Sequence, residues 1–343
     1  MKIAFFHYYH STAQRGLEVY LDQINLRLSK QNQVKIYKGP QKTPPFSPTL
    51  SLKRRFFLDQ SSRQIASWTL HCLRDLNHFN PDIVFALNGG WQSLILRFWT
   101  LLNRKKLIIP GQSGPGWDDR WNLLCSPDIF VCLTQAQLQW AKRQLSWSRL
   151  EVIPNGVDLD FFSPKGKSVK LPLSSPIILI VAAAQDSKKV DATIRAVATL
   201  PRVSLLWIGT GPSKLALKKL GRQLLGSRFH HLSLKHSQMP IYYRSADLFT
   251  LCSAKTEAFG IVYLEALASG LPVVATDDPS RHQIVGDAGL YITNPQDSDK
   301  YAKVLQKALA KDWGDLPRRQ AQRFSWDNIT SQYQQLFEQL ISS

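Results

Sequence analysis

A chain of 343 residues exceeds the usual size of one domain, so we expect two domains, and an apolar fraction of 44% excludes a disordered chain. No apolar run approaches the roughly 20 residues that a membrane-spanning helix needs, which argues against an integral membrane protein. The net charge of +18 indicates an anionic partner, but charge alone does not distinguish nucleic acid, anionic lipid and phosphorylated small molecules.

The first half of the chain alternates short apolar runs with stretches of helical periodicity, a pattern typical of α/β folds. It opens with a predicted buried strand at residues 2–6, followed by a predicted helix at residues 16–28. Further predicted strands lie at residues 34–37, 83–86, 107–109 and 129–133. We therefore expect a first α/β domain over residues 1–165.

The second half repeats this alternation after a stretch rich in turn residues. Residues 153–158 and the polar, proline-containing residues 163–176 predict a linker. Strands are predicted at residues 177–181, 204–208, 248–251 and 273–275, with a helix from Val190 and a glycine turn at residues 209–212. Such alternation produces a parallel sheet with right-handed crossovers. We expect a second domain over residues 166–325 and a final helix, within residues 326–343, that packs back on the first domain.

The most informative stretch for function lies at residues 253–274. A strand ends near Cys252, a helix is predicted from Gly260, and Gly270 ends that helix. The junction therefore lies at the carboxyl end of a strand, where parallel sheets bind ligands. Backbone N–H groups at Gly260, Ile261 and Val262 would be unpaired donors at a helix N-terminus, where a diphosphate fits.

Two carboxylates bracket this predicted helix. Glu257 precedes it and Glu265 lies inside it, which separates them by roughly 10 Å at about 1.5 Å per residue. They can contact two ends of one ligand but cannot share a proton. Carboxylates so placed suit a sugar hydroxyl at one end and a ribose hydroxyl at the other. The alternative is that Glu257 only complements the helix dipole and Glu265 is solvated.

Four motifs in the same order resemble those of the retaining, nucleotide-sugar-dependent glycosyltransferases of family 4. They are the Pro-Asn-Gly-Val-Asp segment at residues 154–158, the Gly-x-Gly turn at 209–211, the Tyr-x-x-Ala-Asp segment at 243–247 and the Glu-x7-Glu pair at 257–265. The resemblance extends over nearly the whole chain. It implies an α/β GT-B fold, in which two Rossmann-like, doubly wound parallel-sheet domains face each other across a cleft.

The resemblance also implies roles for residues of the second domain, which would bind the nucleotide-sugar. The donor sugar would be held by Glu257 and by the backbone of Phe259, Gly260, Ile261 and Val262, and the ribose by Glu265. Lys188 matches a lysine that neutralises the diphosphate, so Glu257 and Lys188 are the candidate catalytic residues. The family places an arginine where this chain has Ala183, and we expect Lys189 or another residue of the basic second domain to compensate. The alternative for both lysines is an exposed helix start.

The first domain would bind the acceptor, and its site residues are less clearly marked. Residues 14–18 resemble a Gly-Gly-x-Glu loop with Arg15 in place of the first glycine, and Gly16 would let backbone amides approach the donor phosphate or the acceptor. The alternative for Glu18 is that it only complements the dipole of the helix that follows. Many relatives have a histidine near the sugar, but the loop at residues 109–120 has none. The candidates on the acceptor side are His10, Gln112, Ser113, Asp118 and Asp119. A glycine-rich structural turn with capping acids is the alternative.

Two basic, amphipathic stretches at residues 52–57 and 91–106 could lie on an anionic membrane. The alternative is a core-facing helix with a solvated basic edge. The four cysteines show no disulfide or metal-binding spacing, and the first residues do not form a signal peptide. We therefore expect a cytoplasmic protein that contacts the inner face of the membrane peripherally.

The resemblance implies transfer of a sugar from a nucleotide-diphosphate sugar to a sugar or lipid-linked acceptor, with retention of anomeric configuration. The reaction would serve glycan, glycolipid or surface polysaccharide biosynthesis. We expect no metal or other cofactor beyond the nucleotide-sugar, and no nucleic-acid partner. One alternative is a nucleotide-sugar epimerase of the same fold. A basic nucleic-acid-binding protein has less support, because the sequence shows neither a stacking platform nor a reading element.

Overall fold

The computed structural model describes residues 1–10, 16–40, 56–254 and 257–342, which form two compact units. The first unit comprises Met1–Asn155 and Trp326–Ser343, and the second comprises Gly156–Ser325. Each unit is built on a six-stranded sheet in which the described strands pair in parallel.

The sheet of the first unit has the order β2-β1-β3-β4-β5-β6. Its strands are β1 (Lys2–His7), β2 (Gln33–Lys38), β3 (Ile83–Ala86), β4 (Lys106–Pro110), β5 (Ile129–Cys132) and β6 (Arg149–Val152). The helices between them are α1 (Gly16–Leu28), α2 (Gln60–Phe79), α3 (Trp91–Leu102), α4 (Trp117–Leu124) and α5 (Gln135–Ala141). Side chains alternate along β1, so that Ile3 and Phe5 join one apolar cluster and Ala4 and Phe6 join another. The sheet is therefore covered on both faces.

The sheet of the second unit has the order β12-β11-β10-β7-β8-β9. Its strands are β7 (Ile177–Val181), β8 (Ser204–Ile208), β9 (Phe229–Leu232), β10 (Leu248–Leu251), β11 (Val273–Thr276) and β12 (Gly289–Ile292). Its helices are α6 (Val190–Ala198), α7 (Lys214–Leu225), α8 (Met239–Tyr243), α9 (Ile261–Ala268), α10 (Pro279–Val285), α11 (Ser298–Ala310) and α12 (Leu316–Gln322). The strand order reverses between β7 and β10, and this is the point where open sheets bind ligands.

The last helix, α13 (Trp326–Ser342), belongs to the first unit. Its buried side chains, among them Trp326, Tyr333 and Phe337, complete the apolar cluster that contains Ile3 and Phe5. The Tyr333 hydroxyl accepts a hydrogen bond of 2.9 Å from the Tyr20 hydroxyl of α1. Helix α13 thus covers one face of the first sheet.

The structure confirms the prediction of an α/β fold with two doubly wound parallel sheets. The apolar runs predicted as strands are strands, and the predicted helix at residues 16–28 is α1. Three edge strands, β6, β9 and β12, were not predicted. All four cysteines are free. In the described part of the chain, no helix has the length and hydropathy that crossing a bilayer requires.

We expect Phe337→Ala to lower the free energy of unfolding by about 3–5 kcal/mol, because it removes a fully buried ring from a packed cluster. The matched control is Ile341→Ala on the same helix, where the side chain is exposed and the expected change is below about 0.5 kcal/mol. Urea-induced unfolding measures both. Equal unfolding midpoints for the two variants would contradict the role of α13 in the core.

Candidate functional site

The candidate site lies in the second unit, where the loops after β7 and β10 leave neighbouring strands. The first loop ends in a 3-10 turn, Asp186–Lys188, and the Nζ atom of Lys188 forms an ion pair with Oε2 of Glu257 in the second loop. The backbone N–H of Ala254 also donates to the carbonyl of Ser187 at 2.7 Å. The structure therefore brings together the two residues predicted to be catalytic.

Helix α9 begins immediately beyond this ion pair. Gly260 caps the helix with φ at +83°, and an added Cβ there would lie 2.6 Å from the ring of Tyr263. The ring of Phe259 is buried and lies 6.3 Å from that of Phe324, so only its backbone is available to a ligand. Among the described residues, the backbone N–H groups of Ile261 and Val262 have no acceptor. These donors point to an anion at the start of α9.

Glu265 is buried inside α9, so it is not the solvated residue of the alternative interpretation. Its Oε2 accepts a hydrogen bond of 2.8 Å from the hydroxyl of Tyr243, and its Oε1 lies 2.9 Å from Nε2 of His236. Burial on its own lowers the pKa of His236, but the hydrogen bond and the charge of Glu265 outweigh it, and the net effect is to raise that pKa. The ring of Phe162 packs 5.4 Å from His236. These contacts fix the carboxylate in one orientation.

The second lysine of the predicted clamp, Lys189, directly follows the 3-10 turn. Its backbone is in the left-handed region with φ at +49°, and the residue caps the start of α6. Helix α6 begins with Val190, as the sequence predicts. Ala183 lies in the same loop, so the loop lacks the arginine of the family at that position.

A buried arginine that was not predicted supports the loop after β10. Arg281 of α10 is fully buried, and its Nη2 donates to Oγ of Ser253 at 2.8 Å while its Nη1 lies 3.3 Å from Oδ1 of Asp278. Burial lowers its pKa, but Tyr263, Asp278 and Glu257 have the opposite and larger effect, so the pKa is raised. The guanidinium therefore stays charged beneath the loop that follows β10. The only signal in the sequence was the Asp-x-x-Arg spacing after a strand.

The predicted acceptor-side residues lie at the carboxyl edge of the first sheet. His10 pairs with Asp22 at 2.9 Å, and Gln112 exchanges two hydrogen bonds, of 3.0 and 3.1 Å, with Asn155. Ser113 and Gly16 are exposed, and Asp118 lies in the first turn of α4. Gln14, Arg15 and residues 52–55 lie outside the described residues, as does Thr256 of the donor loop.

Asp119 requires a correction, because its side chain is fully buried and does not face an acceptor. Its Oδ2 accepts a hydrogen bond of 2.9 Å from Nε2 of Gln137, which also donates to the carbonyl of Gly111. Burial, aided by the charge of Asp118, raises the pKa of Asp119 to about 8. Asp119 thus organises the glycine-rich loop from within, as the structural alternative supposed.

A second buried polar group lies where β1 and β3 end. Nε2 of His7 is 3.0 Å from Oε1 of Glu18, and both side chains are buried. The other ring nitrogen of His7, Nδ1, lies 3.3 Å from Nδ2 of Asn88. Glu18 therefore does more than complement the dipole of α1: it links the helix to the end of β1.

The sequence of the second unit is similar to that of a known protein family. Residues 164–324 match the family described as glycosyl transferases group 1. The match covers almost all of the second unit and slightly less than half of the chain. The matched residues include the Lys188–Glu257 pair, α9 and Arg281.

Two relatives show how far the similarity to this glycosyltransferase family reaches. The chain is 31% identical over 230 residues to an exopolysaccharide phosphotransferase of Streptomyces coelicolor, covering 63% of this chain and 24% of that protein. It is 25% identical over 315 residues to a phosphatidyl-myo-inositol mannosyltransferase of Mycobacterium tuberculosis, covering 85% of this chain and 81% of that protein. The chain thus spans about a quarter of the first relative and most of the second.

Solved structures show the same fold. The chain matches a sucrose-phosphate synthase of Thermosynechococcus elongatus with a TM-score of 0.81 at 20% identity, covering 100% of this chain and 99% of the other. It matches HepE of Anabaena, solved in complex with UDP-glucose, with a TM-score of 0.75 at 18% identity, covering 99% and 100%. The chain therefore has the GT-B fold predicted from its motifs.

We expect Asp119→Asn to change how thermal stability depends on pH. The folded protein holds the Asp119 proton up to about pH 8, whereas the unfolded chain releases it near pH 4. The stabilisation from this raised pKa is therefore full below about pH 4 and is lost as the pH rises to 8. Because asparagine does not titrate, the melting temperature of the variant should rise relative to wild type over that range.

Differential scanning calorimetry at several pH values measures this difference. Asp118→Asn is the companion variant: it removes the neighbouring charge that helps to raise the pKa of Asp119, so the loss of stability should be complete at a lower pH than in wild type. A constant difference between Asp119→Asn and wild type from pH 5 to about pH 8 would contradict a raised pKa for Asp119.

Proposed function

We propose that this protein transfers a sugar from a nucleotide-diphosphate sugar to an acceptor hydroxyl with retention of anomeric configuration. The observation that carries the proposal is the Lys188–Glu257 ion pair beside the N-terminus of α9, at the reversal point of the second sheet. A cation, a helix N-terminus and a carboxylate in that order match a diphosphate joined to a sugar.

In the proposed complex, the donor separates this ion pair and binds both of its members. Lys188 and the N–H groups of Ile261 and Val262 contact the diphosphate, and Glu257 accepts a hydrogen bond from a hydroxyl of the sugar. Glu265 accepts from the ribose. Each oxygen of a carboxylate has two lone pairs, so the bonds to Tyr243 and His236 leave room for a ligand hydroxyl.

The chemical step forms one bond and breaks one. The acceptor oxygen attacks the anomeric carbon on the face from which the diphosphate departs, the bond to the diphosphate breaks, and the acceptor proton passes to the departing phosphate. The enzyme contributes position and positive charge rather than a nucleophile. Lys188, Lys189 and the start of α9 supply that charge, and the mechanism therefore needs no metal ion. Arg281 adds a buried charge behind Glu257, in a site where Ala183 supplies none.

The substrates and the cellular context are also part of the proposal. We take UDP-glucose as the first donor to test, because HepE of the same fold was solved with it. We propose a sugar or lipid-linked acceptor in glycan, glycolipid or surface polysaccharide biosynthesis, with support from the relatives that act on phosphatidyl-myo-inositol and exopolysaccharide by name. Peripheral contact with an anionic membrane on its cytoplasmic side completes the proposal.

We expect Glu257→Ala to reduce sugar transfer by at least about 100-fold, because it removes an acceptor that is placed for the sugar in the transition state. Thermal unfolding, measured in parallel, checks that the variant is folded, because the change also removes the ion-pair partner of Lys188. UDP release from UDP-glucose is the measurement, and Asp186→Asn, next to Lys188, is the control acid. A wild-type rate in the Glu257→Ala variant would contradict the assignment of Glu257 to the donor sugar.

Replacements of Arg281 separate its charge from its shape. We expect Arg281→Gln to lower kcat by about tenfold or more, because the positive charge behind the departing diphosphate is lost. Arg281→Lys should retain more of the rate, since it keeps the charge but not the bidentate geometry. Steady-state kinetics, with thermal unfolding to confirm that each variant is folded, makes the comparison. Equal losses in the two variants would show that the charge is not what matters.

A further inference from the structure

Several exposed apolar side chains lie at the amino edge of the first sheet. β4, β5 and β6 are neighbouring parallel strands, so the segments that lead into them lie at the same edge. The first segment begins with the end of α3, the second with the end of α4, and the third is the loop after α5. Each of the three exposes large apolar residues to water.

Three of these side chains are almost wholly exposed to water. Trp147 is 97% exposed and Leu145 is 80% exposed in the loop before β6, and Leu102 is 83% exposed at the end of α3. Leu101 and Leu124 are exposed beside them. Single apolar residues on a surface are common, but a group at one edge marks an interaction site. We call these five residues the amino-edge surface.

Asp128 holds the three segments together. Its Oδ2 accepts hydrogen bonds from Nη1 of Arg97 in α3, at 2.9 Å, and from the backbone N–H of Leu107 in β4, at 2.8 Å. Its carbonyl accepts a hydrogen bond of 3.1 Å from the N–H of Arg149 in β6. At a strand spacing of about 4.8 Å, the entries to β4 and β6 lie only roughly 10 Å apart. The three segments that carry the amino-edge surface are therefore held close together at one edge of the sheet.

Positive charge surrounds this surface. Arg104, Lys142 and Arg143 are exposed beside it, and within the described ranges no carboxylate lies within ion-pair distance of any of the three. Arg149 is the exception, since its Nε pairs with Oε1 of Glu151 at 2.6 Å. The surface thus combines exposed leucines and a tryptophan with uncompensated cations.

We propose that the amino-edge surface docks on an anionic lipid bilayer, which deepens the proposed membrane contact and rests on it. Tryptophan favours the interface between headgroups and acyl chains, leucine favours the acyl chains, and the cations favour anionic headgroups. A second copy of this chain fits poorly, because a symmetric contact would bring the cations beside this surface in one copy close to those of the other.

Docking through this edge leaves the candidate ligand residues uncovered. The acceptor-side candidates His10, Gln112 and Ser113 lie at the opposite, carboxyl ends of the same strands. The amino-edge surface therefore holds the enzyme at the lipid and leaves the carboxyl edge of the first sheet accessible to ligands. It follows that removing this surface should change lipid binding and leave turnover of a soluble donor unchanged.

The test is sedimentation of the full chain with vesicles of equal phosphatidylglycerol and phosphatidylcholine, and with vesicles of pure phosphatidylcholine. We expect binding to the first only, weakened by salt. The double variant Leu145→Ser/Trp147→Ser should bind at least about tenfold more weakly, because both apolar side chains are lost. Lys142→Ala/Arg143→Ala should remove most of the preference for anionic vesicles. Leu215→Ser is the matched control, since Leu215 is 80% exposed in the second unit.

Wild-type affinity of the Leu145→Ser/Trp147→Ser variant for anionic vesicles would overturn the proposal, and so would the absence of binding by the wild type. A dimer that dissociates in this variant, observed by sedimentation velocity without vesicle binding, would assign the surface to a second copy instead. UDP release from UDP-glucose without vesicles is measured in parallel. If neither the wild type nor any variant released UDP, only the assignment of the donor would be rejected. Vesicle binding would still test the amino-edge surface.

Discussion

In the second sheet β8 and β9 are added on one side of β7, and β10, the next strand along the chain, pairs with the other side of β7. The crossovers on the two sides therefore lead away from each other, and the loops after β7 and β10 are left side by side with no helix between them. Lys188 and Glu257 meet only because of this reversal, although 69 residues separate them along the chain. The start of α9 follows from the same geometry.

The two carboxylates of this site are withdrawn from water to different degrees, and each has partners within the protein. Glu257 lies against the ammonium group of Lys188, and Glu265 receives hydrogen bonds from Tyr243 and His236. Desolvating a carboxylate without such partners would favour its neutral form. The contrast with Asp119 is direct: it is buried with amide donors and no cation, and its pKa rises to about 8. Only the carboxylates with charged or hydroxyl partners are suited to binding a ligand as acceptors.

How much the sequence could predict depends on whether a feature is local. Interior strands of a parallel sheet are buried on both faces, so β1, β3, β7 and β10 form apolar runs that predict them. The edge strands β6, β9 and β12 pair with a neighbouring strand on one side only, and they contain charged, histidine or glycine residues. They therefore lack the continuous apolar run that would have predicted them. The motif around Glu257 could be predicted because the turn, glycine and helix start are adjacent in sequence.

The partners within the site could not be predicted in the same way. His236 reaches Glu265 across 29 residues, and Arg281 reaches Ser253 across 28. Such contacts depend on which helices the fold places side by side, and a sequence without its fold does not specify them. Asp119 illustrates the opposite error: a polar residue in a glycine-rich loop suggests exposure, but the side chain turns inwards to Gln137. Polarity in a loop predicts a hydrogen bond, and the fold decides whether its partner is a ligand or the protein.

The two edges of the first sheet illustrate this distinction. At the carboxyl edge, the polar groups of His7, Glu18 and Gln137 are buried and bonded within the protein, which fixes the loops around the acceptor-side candidates. At the amino edge, Asp128 forms hydrogen bonds that hold the segments together, and apolar side chains such as Trp147 are exposed to water. Folding gains little from a side chain that stays hydrated, because the hydrophobic contribution scales with the apolar area removed from water. That area remains available for a partner, and the cations beside it favour an anionic one.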